Sequence, residues 1–425
     1  MLELNYIKKN KEKVLQGLRI RNFPEGGLDI INNILSFDEV RRNAQTELDN
    51  NLAESKKLAK QIGGLFKQGK GEEATAMKAQ VALLKEKTKA LEAKMEEAKA
   101  QMEELLLAVP NVPHQSVPAG KTSEDNEVYQ AWDKPLPDLG DKAKPHWELA
   151  KQYNIFDLEL GVKIAGAGFP VFRGKGARLE RALINFFLDE ASKAGYEEII
   201  PPLMANEATA RATGQLPDKE GQMYYVGKDD FYLIPTAEVP LTNIYRNVIV
   251  DKKDFPIKLT GYTPCFRREA GSYGAHVRGL NRVHQFDKVE IVQIAHPDKS
   301  YERLNEMLEH VASLLDQLEL PYRILRLCGG DIGFTSALTF DFEVWSAAQK
   351  RWLEVSSVSN FETYQSNRLK ARFKEGKKSR LVHTLNGSAL ALPRIMAALL
   401  ENKQTENGIE LPEVLHRYTG FERID

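Results

Sequence analysis

The sequence predicts an α+β protein in which a long antiparallel pair of helices precedes a domain built on an antiparallel sheet flanked by helices. Residues 37–108 are rich in Ala, Glu, Lys, Leu, Gln and Met and contain no proline. Residues 110–145 are rich in Pro, Gly and Asp, which is typical of an irregular linker. From residue 146 onward, short strands are joined by loops and hairpins rather than by regular crossover helices. We therefore expect an N-terminal domain at 1–109, a linker at 110–145 and a larger domain at 146–425.

The composition excludes several classes of protein. Hydrophobic residues make up 42% and charged residues 28%, as in a soluble globular protein. No apolar run is long enough to span a membrane, and residues 1–10 lack the apolar core of a signal peptide. Cys265 and Cys328 are the two cysteines, which argues against a disulfide framework or a cysteine-rich zinc site. We expect a cytoplasmic protein with no membrane partner.

The stretch 37–108 carries a heptad pattern that is clearest in its second half. Residues spaced alternately four and three apart there are Met77, Val81, Leu84, Thr88, Leu91, Met95, Ala98, Met102 and Leu105. The first half follows the same spacing more loosely, at Leu48, Leu52, Ser55, Ala59, Ile62 and Phe66. Glycines between residues 63 and 71 favour a reversal of the chain. The pattern predicts a helical hairpin arm that protrudes into solvent.

Lysines are concentrated near the predicted turn of this arm. The candidates for contact with a partner are Lys56, Lys57, Lys60, Lys67 and Lys70. In an isolated hairpin such residues are usually a solvated coiled-coil surface. The alternative is a basic tip that binds a phosphate backbone. Because the formal net charge of the whole chain is -1, binding of nucleic acid would have to come from a local patch of this kind.

The domain from residue 146 contains the pattern with the most chemical content. An amphipathic helix is predicted at 176–194, and strands are predicted at 197–200, 262–269, 282–294 and 338–344. The second and third strands form a long hairpin. On it we expect Arg267, Glu269, Arg282 and Glu290 to lie together, although each pair alone would be an ordinary charged sheet surface. Two other patterns fail: Gly120-Lys121-Thr122 lacks the first P-loop glycine, and Gly166-Ala167-Gly168 lacks the third glycine of a dinucleotide fingerprint.

This hairpin resembles motif 2 of class II aminoacyl-tRNA synthetases, and the run from Arg278 to Glu290 resembles the form found in bacterial-type seryl-tRNA synthetases. Further segments resemble other motifs of that family. They are Thr236-Ala237-Glu238 (serine binding), Glu354-Val355-Ser356-Ser357 (ATP and metal), Asn386-Gly387-Ser388-Ala389 with Arg394 (motif 3) and Tyr196 to Pro202 (motif 1). The resemblance covers nearly the whole chain. Related enzymes often have glycine where Pro393 stands, but proline suits the first turn of a helix.

The resemblance implies an enzyme that uses ATP to convert L-serine to seryl-adenylate and then transfers serine to the 3′-terminal adenosine of tRNA(Ser). Whether tRNA(Sec) is also a substrate stays open. The catalytic residues implied are Arg267, Glu269 and Arg394. Those implied for serine are Thr236, Ala237, Glu238, Arg267, Glu290, Asn386 and Ser388. Those implied for ATP are Arg267, Arg268, Glu269, Arg282, Val283, Glu354, Val355, Ser356, Ser357 and Arg394. Glu354 and Ser357 are the implied ligands of Mg²⁺.

The same resemblance implies a C2 homodimer formed through motif 1 and tRNA binding through the arm lysines. Two alternatives remain at this point. One is a paralogue that activates an amino acid but loads a carrier protein, and such relatives lack the long arm. The other is a non-catalytic coiled-coil RNA-binding protein, which would be marked by loss of the phosphate-binding arginines or the metal carboxylate.

Overall fold

The computed structural model describes residues 1–218, 220–270 and 277–425. Within them the chain forms two compact units. One consists of Leu2–Arg19 and Phe23–Pro110, and the other of Met1, Ile20–Asn22 and Asn111–Asp425. No described helix combines the length and apolar character that crossing a bilayer requires.

The helices and strands are numbered in chain order. The helices are α1 (Leu4–Lys9), α2 (Lys11–Ile20), α3 (Ile30–Lys67), α4 (Gly71–Ala108), α5 (His146–Tyr153), α6 (Leu158–Ile164), α7 (Gly174–Lys193), α8 (Glu207–Thr213), α9 (Glu238–Asn243), α10 (Ser300–Gln317), α11 (Tyr364–Leu369), α12 (Leu392–Asn402) and α13 (Glu413–Thr419). The strands are β1 (Glu127–Gln130), β2 (Phe156–Asp157), β3 (Val171–Phe172), β4 (Glu197–Glu198), β5 (Met204–Asn206), β6 (Tyr225–Val226), β7 (Phe231–Leu233), β8 (Ile249–Val250), β9 (Ile257–Phe266), β10 (Gln285–Ala295), β11 (Tyr322–Arg326), β12 (Leu338–Ser346), β13 (Arg351–Asn360), β14 (Arg372–Glu375), β15 (Lys378–Leu381), β16 (His383–Ala391), β17 (Gln404–Thr405), β18 (Gly408–Glu410) and β19 (Arg423–Ile424).

The predicted helical hairpin is confirmed as α3 and α4. Each helix contains 38 residues, which corresponds to about 57 Å of α-helix. The first helix begins at Ile30, seven positions before the predicted start, and continues through the glycine pair at 63–64. The chain reverses at residues 68–70. The alanines, lysines and glutamates around the glycine pair favour helix strongly enough to carry the chain through it.

The seam between the two helices follows the predicted register in α4 but not in the middle of α3. The predicted seam positions Leu52, Ala59 and Phe66 are exposed. The buried positions are instead Asn51 and Leu58, which lie one residue earlier. The Asn51 side chain amide donates to the carbonyl of Leu84 at 2.8 Å and to the hydroxyl of Thr88 at 2.9 Å. The prediction was therefore wrong at Leu52, Ala59 and Phe66, whereas the predicted seam residue Leu48 is buried. At the first of these positions, a polar residue with partners on the facing helix occupies the seam.

The larger unit is organised around a twisted sheet, in agreement with the predicted fold class. In the described residues eight strands pair in the order β1-β11-β12-β13-β16-β10-β9-β4. All of these pairings are antiparallel except the parallel pairing of β4 with β9 at one edge. At the opposite edge, β1 comes from the segment that the composition indicated to be irregular.

The two faces of the central strand β10 have different roles. Its residues Val289 and Ile291 belong to the main hydrophobic core, together with apolar residues of α7, α10 and α12. Each large side chain removed from water there contributes about 1.5–3 kcal/mol. Lys288 and Glu290 alternate with these core residues and therefore lie on the other face of the strand. The sheet thus presents polar groups on the side opposite the three helices.

The predicted hairpin is present, but both strands stop further from the turn than the sequence indicated. Strand β9 ends at Phe266 and β10 begins at Gln285. Arg267, Glu269 and Arg282 therefore lie beyond the strands, and strand alternation does not determine their directions. The predicted loop residues Gly271 to Gly274 lie outside the described residues.

Candidate active site

Arg267 follows the last residue of β9 and carries a cation without a carboxylate partner among the described residues. Its backbone N–H donates to the carbonyl of His284 at 2.9 Å, which extends the hairpin pairing by one step. Its guanidinium Nε lies 3.4 Å from the carbonyl oxygen of Pro235. The guanidinium carbon is 5.3 Å from the centroid of the Phe286 ring. Arg267 and Glu269 form no ion pair with each other among the described residues, so the Arg267 cation can bind an oxyanion.

Glu269 forms an ion pair with Arg282 on the opposite limb of the hairpin. The Arg282 Nε lies 3.0 Å from the Glu269 Oε2. Glu269 has a φ of 49°, a left-handed backbone conformation that a non-glycine residue rarely adopts. The neighbouring Arg268 has its guanidinium carbon 5.9 Å from the ring centroid of Tyr224. The structure therefore brings Glu269 and Arg282 together, as expected, but through a turn rather than through a shared strand face.

The predicted serine residues Thr236 and Glu290 meet in a buried cluster that also contains Lys288. The Thr236 hydroxyl donates to Glu290 Oε2 at 3.0 Å. The same hydroxyl oxygen accepts from the Lys288 ammonium at 2.9 Å and from the Glu238 backbone N–H at 3.2 Å. Lys288 also forms an ion pair with Glu290. The ion-pair partner of Glu290 is therefore Lys288, whereas Arg282 pairs with Glu269.

Glu238 is a second buried carboxylate of this cluster, at the start of α9. Burial, followed by the charge of Glu290, raises the pKa of Glu238 to about 7. A hydrogen bond from Gln365 and the charges of Lys288 and Arg267 act in the opposite direction. The carboxyl therefore titrates close to neutrality, where a cationic ligand would favour its ionised form.

Glu238 is held by a side chain that the sequence analysis did not single out. The Gln365 amide donates to Glu238 Oε1 at 2.6 Å and to the carbonyl of Thr213 at 3.1 Å. Its own oxygen accepts from the Thr384 hydroxyl at 2.8 Å. Gln365 lies in the short helix α11, and nothing in its local sequence distinguishes it from a surface glutamine.

Asn386 and Ser388 reach this region through the register of β16. Ser388 pairs directly with Glu290, and Asn386 pairs with Val292, so both residues share the face that carries Glu290. The carbonyl of Ser388 accepts from the Ser356 hydroxyl at 2.6 Å. Ala237, the remaining predicted serine residue, is fully buried.

The predicted metal ligands Glu354 and Ser357 are brought to one face by an irregularity in β13. Residues three apart point to opposite faces of a regular strand. Here Glu354 pairs with Glu343 and Ser357 pairs with Asp341, so one residue of β13 is unmatched between them. This β-bulge restores a common face for the carboxylate and the hydroxyl. The intervening Val355 and Ser356 are buried.

Asp341 is a second carboxylate at this place, and the sequence analysis missed it. Burial, followed by the charge of Glu354, raises the pKa of Asp341 well above its usual range, although a hydrogen bond from Ser357 lowers it. Its Oδ1 is buried without a hydrogen-bond partner in the described part of the chain. An acidic residue within the apolar strand β12 was the signal available in the sequence. Two carboxylates and a hydroxyl with an unsatisfied oxygen are a suitable donor set for a hard divalent cation.

Arg394 contacts both β13, which carries the predicted metal ligands, and Asn281, which precedes β10 in the hairpin. Pro393 lies in the first turn of α12, as predicted, so Arg394 is near the helix N-terminus. The Arg394 Nε donates to the carbonyl of Asn281 at 2.9 Å, and one terminal nitrogen donates to the carbonyl of Glu354 at 2.6 Å. The Glu354 carboxylate lies 3.5 Å from the same nitrogen. Val283, two residues after Asn281, is buried.

The five predicted arm lysines lie on the separate N-terminal unit, around the end of α3. Lys56, Lys57, Lys60, Lys67 and Lys70 are all exposed. Lys70 lies 3.3 Å from Glu73, and the other four have no ion pair within the described residues. Exposed lysines of this kind can bind phosphates without any loss of internal structure.

The chain matches two protein families by sequence. Residues 1–113 match the family described as Seryl-tRNA synthetase N-terminal domain, and residues 224–403 match that described as tRNA synthetase class II core domain (G, H, P, S and T). The serine–tRNA ligase of Salinibacter ruber is 52% identical over 427 residues, covering 100% of this chain and 99% of that protein. The serine–tRNA ligase of Prosthecochloris aestuarii is 46% identical over 432 residues, with 100% and 99% coverage.

Solved structures agree with these matches. Seryl-tRNA synthetase from Pyrococcus horikoshii complexed with ATP superposes with a TM-score of 0.93 at 34% identity, covering 100% of this chain and 99% of that chain. Cytoplasmic serine–tRNA ligase from Naegleria fowleri in complex with AMP gives a TM-score of 0.88 at 26% identity, with the same coverage. Neither the carrier-protein paralogue nor the non-catalytic RNA-binding protein is favoured, because the similarity includes the arm and the catalytic core alike. The chain belongs to the seryl-tRNA synthetase family, whose reaction is the activation of serine and its transfer to tRNA(Ser).

Proposed function

We propose that the buried cluster around Thr236, Glu238 and Glu290 binds serine, and that Arg267 joins the serine carboxylate to the α-phosphate of ATP. The carboxylate oxygen attacks the α-phosphorus, a new P–O bond forms, and the bond to the β-phosphate oxygen breaks to release pyrophosphate. The serine carboxylate is already ionised at pH 7, so no general base is needed. The residues act by positioning and by stabilising charge. The observation that carries this proposal is the Arg267 guanidinium, which lies close enough to the buried carboxylate of Glu238 to lower its pKa and has no ion-pair partner of its own among the described residues.

In this proposal the two ends of serine are bound by different carboxylates. Glu238 receives the ammonium group, with Gln365 holding one of its oxygens. The hydroxyl of Thr236 is fully used by its three contacts and therefore orients its neighbours. Glu290 accepts a hydrogen bond from the serine hydroxyl, assisted by Ser388 across the strand pair. Ala237 and Asn386 line the rest of the proposed serine pocket.

ATP is assigned to the region between the hairpin and α12. Arg282 and Arg394 bind the β- and γ-phosphates, and Glu269 accepts from the adenine amino group. For Arg282 this requires that its ion pair with Glu269 open or be shared when the nucleotide binds. Arg268, Val283, Val355, Ser356 and Ser357 supply the remaining surface around the nucleotide.

Mg²⁺ fits the donor set of Glu354, Ser357 and Asp341. No group of three or more His, Cys, Asp or Glu side chains within residues 1–218, 220–270 and 277–425 is arranged to hold a metal by itself. Mg²⁺ in enzymes is usually bound by one or two protein carboxylates together with the phosphates of the substrate. A bound cation would neutralise the phosphate charge that develops as pyrophosphate leaves. Glu354 and Ser357 would be its ligands, and Asp341 would lie beside them.

The second step, transfer of serine to the terminal ribose of tRNA, is assigned to the same pocket, with AMP as the leaving group. We propose that residues 1–109 form the tRNA-binding domain, with the arm at 37–108, that 110–145 connect it, and that 146–425 form the catalytic domain. The arm lysines bind the tRNA backbone. We include tRNA(Sec) as a second substrate, which a serylation assay tests directly.

A C2 homodimer is proposed on the basis of the edge strand β4 and the residues that follow it. Ile200 is 90% exposed, and Leu203 and Met204 are also exposed. Apolar side chains beside an open sheet edge are typical of an interface between copies. Sedimentation velocity at assay concentration should give twice the monomer mass, whereas a fully active monomer would contradict the proposal. A cytoplasmic location is proposed because Cys265 and Cys328 are both free thiols.

The test of the activity is amino-acid-dependent ATP–pyrophosphate exchange with a panel of amino acids, followed by serylation of tRNA(Ser) and tRNA(Sec). Serine alone should support rapid exchange, and serylation should depend on the arm. Exchange with another amino acid as rapid as that with serine, or exchange without serylation, would contradict the proposal.

A further inference from the structure

Lys288 is a buried cation inside the candidate serine pocket that has no part in the proposed mechanism. It lies on β10, two residues before Glu290, so the two side chains share the face of the strand opposite α7, α10 and α12. Both residues are at most 5% exposed. A lysine ammonium is almost never buried unless it is paired, because loss of hydration is costly. Its position therefore reflects a specific partner.

The partner is one oxygen of Glu290. Lys288 forms its ion pair with Oε2, and the Thr236 hydroxyl donates to the same oxygen at 3.0 Å. Lys288 also donates to the Thr236 oxygen at 2.9 Å, which closes a ring of three contacts. The other carboxylate oxygen, Oε1, has no hydrogen-bond partner among the described residues. One side of the carboxylate is thus fixed, and the other remains available.

We propose that Lys288 is a positioning residue for serine selection, which holds Glu290 by Oε2 so that Oε1 accepts the hydrogen bond of the serine hydroxyl. This inference rests on the proposed function of Glu290. Alanine fits wherever serine fits, so it is rejected only if a buried acceptor loses its partner when alanine binds. A carboxylate that can rotate, or that has two available oxygens, more easily finds another hydrogen-bond donor when alanine is bound, and it then discriminates less between serine and alanine. An ion pair that fixes one oxygen prevents the rotation and leaves a single oxygen available.

An alternative role for Lys288 is direct contact with the substrate. An ammonium group has three N–H donors, and the contacts to Glu290 and Thr236 use two of them. The third could bind the serine carboxylate or a phosphate. In that case the loss of Lys288 would impair catalysis whether or not Glu290 carries a charge. The two roles are therefore separated by removing both residues in a double-mutant cycle.

The experiment measures pyrophosphate exchange with serine and with alanine for Lys288→Met, Lys288→Arg, Glu290→Gln and the double variant Lys288→Met/Glu290→Gln. Lys288→Met should raise the KM for serine about tenfold or more and reduce the serine-over-alanine ratio of kcat/KM by a similar factor. The KM for ATP should stay within about twofold. Lys288→Arg, which keeps the charge, should recover part of the selectivity. In the Glu290→Gln background, Lys288→Met should change selectivity by less than about twofold.

Lys258→Met is the matched control, since Lys258 is a partly buried lysine on the neighbouring strand β9 whose partner Glu306 lies outside the pocket. It should leave both selectivity and KM unchanged. If Lys288→Met does not fold, as judged by circular dichroism, comparison of Glu290→Gln with the double variant tests whether Lys288 acts through Glu290. Equal selectivity in these two supports the inference, and a further large loss in the double variant overturns it.

Glu290→Ala separates failure of this inference from failure of the proposed function. If Glu290→Ala keeps full selectivity, the proposed role of Glu290 fails, and with it this inference. If Glu290→Ala loses selectivity while folded Lys288→Met keeps it, Glu290 reads the hydroxyl without help from Lys288, and only the inference is overturned.

Discussion

The helical hairpin and the proposed serine pocket both depend on polar groups, but these groups are mostly exposed in the hairpin and buried in the pocket. In the hairpin, five lysines around the end of α3 are exposed, and one buried polar residue, Asn51, aligns the two helices. In the pocket, Lys288, Glu290 and Glu238 are all buried and bind one another or nearby side chains. Exposed charges attract a large polyanion in any geometry, whereas buried groups discriminate between ligands that differ by one hydroxyl. The first kind of recognition tolerates small displacements, and the second does not.

Deletion of residues 37–108, with the ends joined by a short loop, should have the largest effect. It tests whether the hairpin and the pocket act separately, the first in tRNA binding and the second in serine activation. Serylation of tRNA should fall by about a thousandfold or more, because the hairpin no longer binds the tRNA phosphates. Serine-dependent pyrophosphate exchange should remain close to that of the intact chain, since the pocket lies in the other unit. An equal loss of both activities in a folded variant would show that the two regions do not work separately.

Arg267→Ala tests the pocket alone. The rate of serine activation should fall at least about a hundredfold, the usual cost of losing a main charge-stabilising donor. Arg417→Ala, which removes an exposed arginine of α13, is the control. Exchange rates should be compared after circular dichroism has shown that both variants fold. Near-normal exchange in Arg267→Ala would remove this residue from the proposed mechanism.

Replacing Lys56, Lys57, Lys60, Lys67 and Lys70 with alanine tests the hairpin without removing it. Binding of tRNA should weaken and its dependence on salt should flatten, by up to about 0.7–0.9 in the logarithmic slope for each phosphate that is no longer neutralised. A control variant should have five other exposed lysines replaced, namely Lys142, Lys163, Lys228, Lys374 and Lys377. Equal slopes in the two variants would mean that the arm lysines are only a solvated helix surface.

Glu290→Ala is expected to act on serine and not on ATP. The KM for serine should rise by about ten- to a hundredfold, and discrimination against alanine should shrink, because the hydroxyl loses its acceptor. Glu290→Gln should be milder, since the amide keeps one acceptor oxygen. Steady-state exchange at varied serine, alanine and ATP concentrations provides the measurement. If the variant keeps its preference for serine, Ser388 and backbone groups, and not Glu290, bind the serine hydroxyl.

The smallest expected effect is the pH dependence of serine binding. The pKa of Glu238 is raised to about 7 by burial and by Glu290, so the carboxyl is mostly protonated below that pH. Only the ionised form pairs with the serine ammonium. The KM for serine should therefore fall by up to about tenfold per pH unit as the pH rises toward 7, and level off above it. The KM for ATP is the control, and Glu238→Gln should abolish the slope. A KM for serine that is constant between pH 6 and 8 would contradict the assignment.

The sequence by itself determined the fold class, the helical hairpin and the helix α7, because these follow from local composition and from a repeat within one segment. It also pointed to Arg267, Glu269 and Arg282 as neighbours, since they flank a single hairpin. The predictions from sequence were wrong where a contact with another segment of the chain determined which residue is buried. In the seam of α3, Asn51 takes the place predicted for Leu52, because Asn51 forms a hydrogen bond with Thr88 on the facing helix.

Only the tertiary structure determined which groups share the candidate site. Glu354 and Ser357 share a face because of a bulge whose register is set by β12. Thr236, which contacts both Lys288 and Glu290, lies more than 50 residues away from them in the chain. The local sequence around Gln365 does not indicate its hydrogen bond with Glu238, and an acidic residue in an apolar strand does not show that Asp341 lies near Glu354. The physical reason is that desolvation and charge pairing depend on distances in space, which a strand or helix pattern fixes only within its own segment.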